Sequence, residues 1–181
     1  MKQFVLILMS LVAFNGSSRA QDKKILVAYF SCTGTTERAA NAIAQAVGGT
    51  LYRITPATPY TSADLDWNDK SSRSSREMAD EQSRPALGGE TLDPQDYDVV
   101  FLGYPIWWDL CPRLVNTFLE KYDFSGKTVL PFATSGGSSI TNSVKQLKKL
   151  YPEIDWKEGK LLNGGPKQAA QGAKHALEYC A

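Results

Sequence analysis

Histidine is almost missing from this chain: His175 is the single one among 181 residues. Cysteine is scarce as well, with Cys32, Cys111 and Cys180 far apart and no Cys-x-x-Cys spacing. Together these argue against a His/Cys metal centre, and three thiols allow at most one internal disulfide. A large excess of charge of either sign is lacking too. The formal net charge is +1 and no basic run occurs, which argues against nucleic acid as a partner. No apolar run reaches the roughly 20 residues that a membrane crossing needs. The longest, from Phe4 to Phe14, follows Met1-Lys2 and precedes Asn15-Gly16-Ser17-Ser18-Arg19-Ala20. A positive start, a short apolar centre and small residues at Ser18 and Ala20 read as a secretory signal peptide over residues 1–20. Export, to the periplasm, is the expectation. No cysteine lies near the expected cut, so no lipid anchor is indicated.

What remains, residues 21–181, has the length of one ordinary domain with a real core. Strand-length apolar runs occur at Ile25–Phe30, Asp98–Tyr104 and Thr128–Ala133, with weaker ones at Leu51–Ile54 and Asp155–Leu162. Helical patterns lie between them. Ala39, Ala40, Ile43, Ala44 and Val47 share one face and stop at Gly48-Gly49. Pro112 opens a second helix carrying Leu114, Val115, Phe118 and Leu119. Ile140, Val144, Leu147 and Tyr151 mark a third, and Pro166 to Tyr179 a last. Continuous apolar strands imply burial on both faces, hence a parallel sheet between helix layers, an α/β doubly wound fold. Residues 56–94 break the rhythm. They are polar and serine-rich, and are read as a solvated surface insertion rather than a cover, with a short helix near Glu77–Glu81.

In such folds ligands sit at the C-terminal ends of the strands. After the first strand come Ser31-Cys32-Thr33-Gly34-Thr35-Thr36, then a helix. Hydroxyls and backbone N–H groups converging at a helix N-terminus make a phosphate cradle. It holds no Gly-x-x-x-x-Gly-Lys and so is not a triphosphate loop. After the second strong strand come Pro105-Ile106-Trp107-Trp108-Asp109, two tryptophans that need a core or a flat ligand to cover them. After the third come Thr134-Ser135-Gly136-Gly137, small residues with free N–H groups and room for close approach. A flat cofactor with one phosphate satisfies all three, and flavin mononucleotide (FMN) is the natural candidate. Trp107 is expected to stack on it and Trp108 to turn toward the Pro112 helix as core, since adjacent side chains rarely share a face. Asp109 suits either a ribityl hydroxyl or a helix cap. Cys111 reads as buried filler.

Ser31, Thr33, Gly34 and Thr36 meet the pattern Ser/Thr-x-Thr-Gly-x-Thr of the flavodoxin family, which this sequence resembles over nearly its whole mature length. It looks closest to a branch carrying Gly-Tyr-Pro-Ile-Trp-Trp, here Gly103 to Trp108, and Thr-Ser-Gly-Gly-Ser, here Thr134 to Ser138. The resemblance implies a three-layer fold with a five-stranded parallel sheet, order 2-1-3-4-5, and FMN with its phosphate in the first loop. It implies electron transfer, with an unidentified redox protein or small acceptor as partner and no catalytic residue or metal. Two features depart from the family. The strong acidity that docks partners is missing. The glycine at which many members flip a peptide toward the reduced flavin is replaced by Ile106-Trp107, so two-electron chemistry is expected. The alternative is an FMN-dependent quinone or disulfide reductase on the same fold. A remoter one uses Cys32 and Arg38 as the Cys-x5-Arg of a phosphatase, though Glu37 beside a phosphate dianion and Ala39 after the arginine fit it poorly.

Overall fold

A computed structural model describes residues 23–178. The leader reading of residues 1–20, like Cys180, lies outside the described residues. In chain order the elements are β1 (Ile25–Tyr29), α1 (Thr35–Val47), β2 (Thr50–Arg53), β3 (Thr55–Pro56), α2 (Arg73–Ala79) and β4 (Leu87–Gly88). Then follow β5 (Val99–Pro105), α3 (Arg113–Lys121), β6 (Thr128–Thr134), α4 (Thr141–Leu150), β7 (Asp155–Trp156), β8 (Lys160–Leu161) and α5 (Pro166–Glu178).

Side chains alternate across the central strands, so two cores form. Leu26, Ala28, Val100, Leu102, Tyr104, Val129 and Ala133 face α3 and α4, meeting Leu114, Val115, Phe118, Val144 and Leu147. Val27, Tyr29, Val99, Phe101, Leu130 and Phe132 face the other way, against Ala39, Ala40, Ile43 and Ala44 of α1 and Ala169 and Ala173 of α5. That is the three-layer, doubly wound arrangement expected of unbroken apolar strands. The sheet is parallel in the order β2-β1-β5-β6-β7, with β8 also on β6. The order 2-1-3-4-5 is thus present, with its fifth position split into β7 and β8.

Pro131 accounts for the split. The carbonyls of Val129 and Ala133 accept from the edge, from Lys157 N–H (2.9 Å) and Leu162 N–H (2.8 Å). Residues of that parity turn their polar groups to the edge, and at Pro131, midway between them, no N–H exists to continue the ladder. The edge chain leaves β6 there. Gly159 lets it pass over α4: a Cβ at that position would lie 2.7 Å from Val144 Cγ2.

The insertion is ordered, which corrects the solvated reading. β3 and β4 pair antiparallel as Thr55–Gly88 and Pro56–Leu87. The helix within it is Arg73–Ala79, earlier than expected, and starts because the Ser72 hydroxyl accepts from Ser75 N–H. Arg73 Nε donates to Glu77 at 2.7 Å and its guanidinium lies 4.0 Å over the Tyr60 ring, while Tyr60 donates to Glu77 at 2.6 Å. The buried Arg113 ties the end of α2 to α3 by donating to the Met78 carbonyl at 3.1 Å.

Candidate functional site

The loops leaving β1, β5 and β6 converge at the C-terminal edge of the sheet. Thr134 knots them. Its carbonyl accepts from Ile106 N–H at 2.9 Å, and its hydroxyl shares a 2.8 Å hydrogen bond with Thr36. Both threonines are buried.

In the first loop Gly34 sits at φ 82 before α1 and no side chain caps the helix. Ser31 Oγ instead accepts from Gly34 N–H at 3.1 Å, holding the loop closed behind the first turn. The open N–H groups of that turn are the donors an anion would take. Glu37 does not spoil this end: Tyr29 donates to its carboxylate at 3.0 Å and Arg53 approaches the same oxygen at 3.8 Å. Arg53, at the end of β2, also donates to the Ser31 carbonyl at 3.4 Å. The loop itself, Ser31 to Thr36, carries no cation. The missed signal was Arg53's place at the end of a strand neighbouring β1.

The second loop is a small hairpin. Trp107 and Leu110 exchange both backbone hydrogen bonds, at 2.9 and 3.0 Å, across Trp108 and Asp109. Those two have φ of 45 and 66, so both central positions are left-handed, as in a type I′ turn. This corrects the role given to Trp108. Trp107 is the partly buried one, edge-on to Phe30 at 5.7 Å and to Tyr60 at 5.5 Å. Trp108 stands at the tip, 47% exposed, and does not enter the core. Left-handed backbone, found costly at Ile106-Trp107, falls one residue later. Asp109 makes no cap: α3 begins at Pro112 without a side-chain bond.

Between the loops lies a cavity of about 450 Å³. Its wall takes Ser31, Cys32, Thr33, Thr35 and Thr36 from the first loop, Pro105, Ile106, Trp107 and Trp108 from the second, and Thr134 and Gly136 from the third. Leu65, Trp67 and Ser74 of the insertion complete it, so the insertion forms part of the site. Gly34, Ser135 and Gly137 stand outside the wall. The Ser135 hydroxyl accepts from Gly137 N–H at 3.1 Å and Ser138 N–H at 2.9 Å, shaping the third loop from within. The cavity is polar at the α1 end and aromatic at the other.

Cys32 lies on the Tyr60 side. Burial pushes its thiol up to about 12, against a weaker downward pull from Arg53 and Arg73. Arg38 is exposed and turned back to Thr35, to whose hydroxyl it donates at 3.3 Å. A protonated thiol and an outward guanidinium do not make a phosphatase centre. Cys111 is fully buried against Asn116 (3.8 Å) and both thiols are free.

Fold and cavity define a doubly wound α/β protein with a cavity at its topological switch point, where the connections from β1 and β5 leave in opposite directions. The flavodoxin family model matches residues 24–175, and the chain belongs to that family. A crystallised protein from Bacteroides eggerthii DSM 20697, provisionally named a flavoprotein, is 59% identical, covering 87% of this chain and 97% of that one, with a TM-score of 0.82. A similarly named protein from Bacteroides uniformis ATCC 8492 is 57% identical, covering 84% of this chain and 98% of that one, with a TM-score of 0.81. A flavoprotein from Lactobacillus acidophilus NCFM, crystallised in complex with FMN, shares the fold at 20% identity and a TM-score of 0.65, over 77% of this chain and 93% of that one. Among curated proteins none matches this chain.

Proposed function

We propose that the chain binds FMN in this cavity and transfers electrons as an exported, periplasmic redox protein. The observation that carries the reading is the junction of an uncapped helix start with an aromatic compartment in one cavity. The residues fit the group. The phosphate would lie at the first turn of α1, among the hydroxyls of Ser31, Thr33, Thr35 and Thr36, with Arg53 behind the loop. The flat ring would lie along Ile106, Trp107 and Trp108 under Trp67, with Gly136 leaving room at its edge. When bound, FMN supplies reversible one- and two-electron chemistry. The chain's own part is to orient and shield. Thr134 holds the three loops in register, the Tyr60–Trp107–Phe30 cluster stiffens the apolar wall, and Leu65 and Trp67 exclude water. No side chain of the wall offers a proton near neutral pH; the Cys32 thiol stays protonated. The protruding Trp67 and Trp108 favour a small-molecule acceptor, hence a reductase, over a carrier docked by charge.

The test is titration of the protein with FMN and with riboflavin, which lacks the phosphate. FMN should bind at least tenfold more tightly. Thr33→Val should weaken FMN by about 10- to 100-fold, the loss expected for one hydrogen bond to a charged group, and leave riboflavin nearly unchanged. Equal affinity for the two flavins would overturn the reading.

A further inference from the structure

Trp67 and Trp108 line more than the cavity. With α2 they also enclose a second open groove of about 520 Å³, within the range of small-molecule sites. Trp67 is 72% exposed and Trp108 47%, and both belong to the two hollows at once. Two large exposed indoles are costly without a function. Trp108 is held out by a left-handed turn that a bulky residue rarely adopts. The floor is Met78 and Ala79 of α2, and the rim carries Asn68 and Lys70. No acid lines the groove. Among the described residues Lys70 has no ion-pair partner.

Indole faces call for a flat conjugated ring, and a rim of one ammonium and one amide calls for carbonyl or oxyanion acceptors on its edge. A ring of that kind beside a flavin cavity has one chemical class in common with electron exchange. We infer that this groove binds a quinone, its ring against Trp67 and Trp108 and a carbonyl oxygen toward Lys70. The inference rests on the proposed FMN reading and gives it an acceptor class. Asn68, Lys70, Ser75, Met78 and Ala79 line the groove and not the cavity, so acceptor and cofactor are held together rather than in turn.

The experiment is calorimetric titration of the FMN-saturated protein with anthraquinone-2-sulfonate, whose ring does not alkylate thiols, and with anthracene-2-sulfonate, which lacks the carbonyls. The quinone should bind one to one and at least tenfold more tightly than the hydrocarbon. Ala79→Trp, at an exposed position on the groove floor, should fill the groove and weaken the quinone at least tenfold; Lys70→Met should weaken it severalfold. Both should leave FMN affinity within about twofold. Quinone binding unchanged in Ala79→Trp, equal binding of the two probes, or no quinone binding with FMN in place would each overturn the groove. Failure of FMN to bind in the preceding titration would overturn the cofactor reading instead, and the quinone arm then runs on the flavin-free chain, where the groove is the same.

Discussion

Replacing Gly103 by alanine adds one methyl group and should cost about as much as a typical core deletion. Gly103 lies in β5 between Tyr29 of β1 and Phe132 of β6. The far end of the Phe132 ring occupies the place of its side chain. A Cβ there would stand 2.5 Å from Cε2 and 2.8 Å from Cε1 of that ring, and closer still to Cζ. Carbon atoms in contact prefer about 3.5–4.0 Å, so the ring must retreat by an ångström or more. It has nowhere to go: Phe132 is 2% exposed, packed in the same core as Ile43, Phe101 and Leu162. Overpacking of this kind costs about 1–3 kcal/mol, and the upper end is expected because the obstacle is a rigid ring in a central layer. For a domain of this size about 3 kcal/mol lowers Tm by roughly 6–12 °C. Urea unfolding followed by circular dichroism measures it. Phe132→Leu removes the obstacle and leaves a partial void, so it destabilises alone but should relieve Gly103→Ala. The double variant should then be more stable than the sum of the singles by at least about 1 kcal/mol. Gly103→Ala within 0.5 kcal/mol of the parent, or strict additivity, would refute the argument.

Three further outcomes follow from the same coordinates. Asp109→Gly at φ 66 should stabilise by up to about 1 kcal/mol and Asp109→Val should destabilise by about 1–2 kcal/mol; opposite signs in chemical denaturation would contradict the left-handed turn. Burial pushes the Cys111 thiol up to about 12 from an ordinary 9.0, so unfolding releases its proton between those values and stability falls as pH rises through that window. Cys111→Ala should flatten the alkaline stability curve by about 1.4 kcal/mol per pH unit, and an unchanged slope counts against it. A hydrogen bond from Arg84, with a further one from Tyr151, holds the Glu120 carboxyl below its ordinary 4.5. Its stabilisation is therefore present above that value and lost as pH falls, so Glu120→Gln should lessen the acid sensitivity of Tm; an identical acid limb would sink this.

The fold was legible where local pattern and global placement agree. The runs at Ile25–Phe30, Asp98–Tyr104 and Thr128–Ala133 have no polar face to expose, so a parallel sheet between helices was the one way to bury them. Gly48, at φ 65, ends α1 as a left-handed cap, where the Gly48-Gly49 pair was read as a stop. The hydroxyl loop was legible for the same reason: strand, turn and helix start are consecutive in sequence. Failures gathered where distant segments meet. The insertion looks solvated because its anchors are polar: Arg73, Glu77 and Tyr60 satisfy one another, and composition cannot distinguish a paired charge from a hydrated one.

The tryptophan pair shows the limit most sharply. Alternation was the right rule for Trp107 and Trp108, and their side chains do part; the rule says nothing about which of the two faces inward. That is decided by the turn: Leu110 returns to pair with Trp107, which leaves Trp108 at the tip. Two left-handed residues there are a local expense that nothing in the hairpin repays, since an Asn-Gly pair would make the same turn at less cost. Strain retained in a bulky residue, with its ring at the junction of a cavity and a groove, is better explained by what the ring touches than by the turn it interrupts. The same reasoning separates Gly103 from Gly34, two glycines of the recognised motifs. One is required because a ring from β6 occupies the place of its side chain, the other because the chain turns left-handed into the start of α1. One serves packing and the other a turn, and sequence spacing alone gives no means of telling them apart.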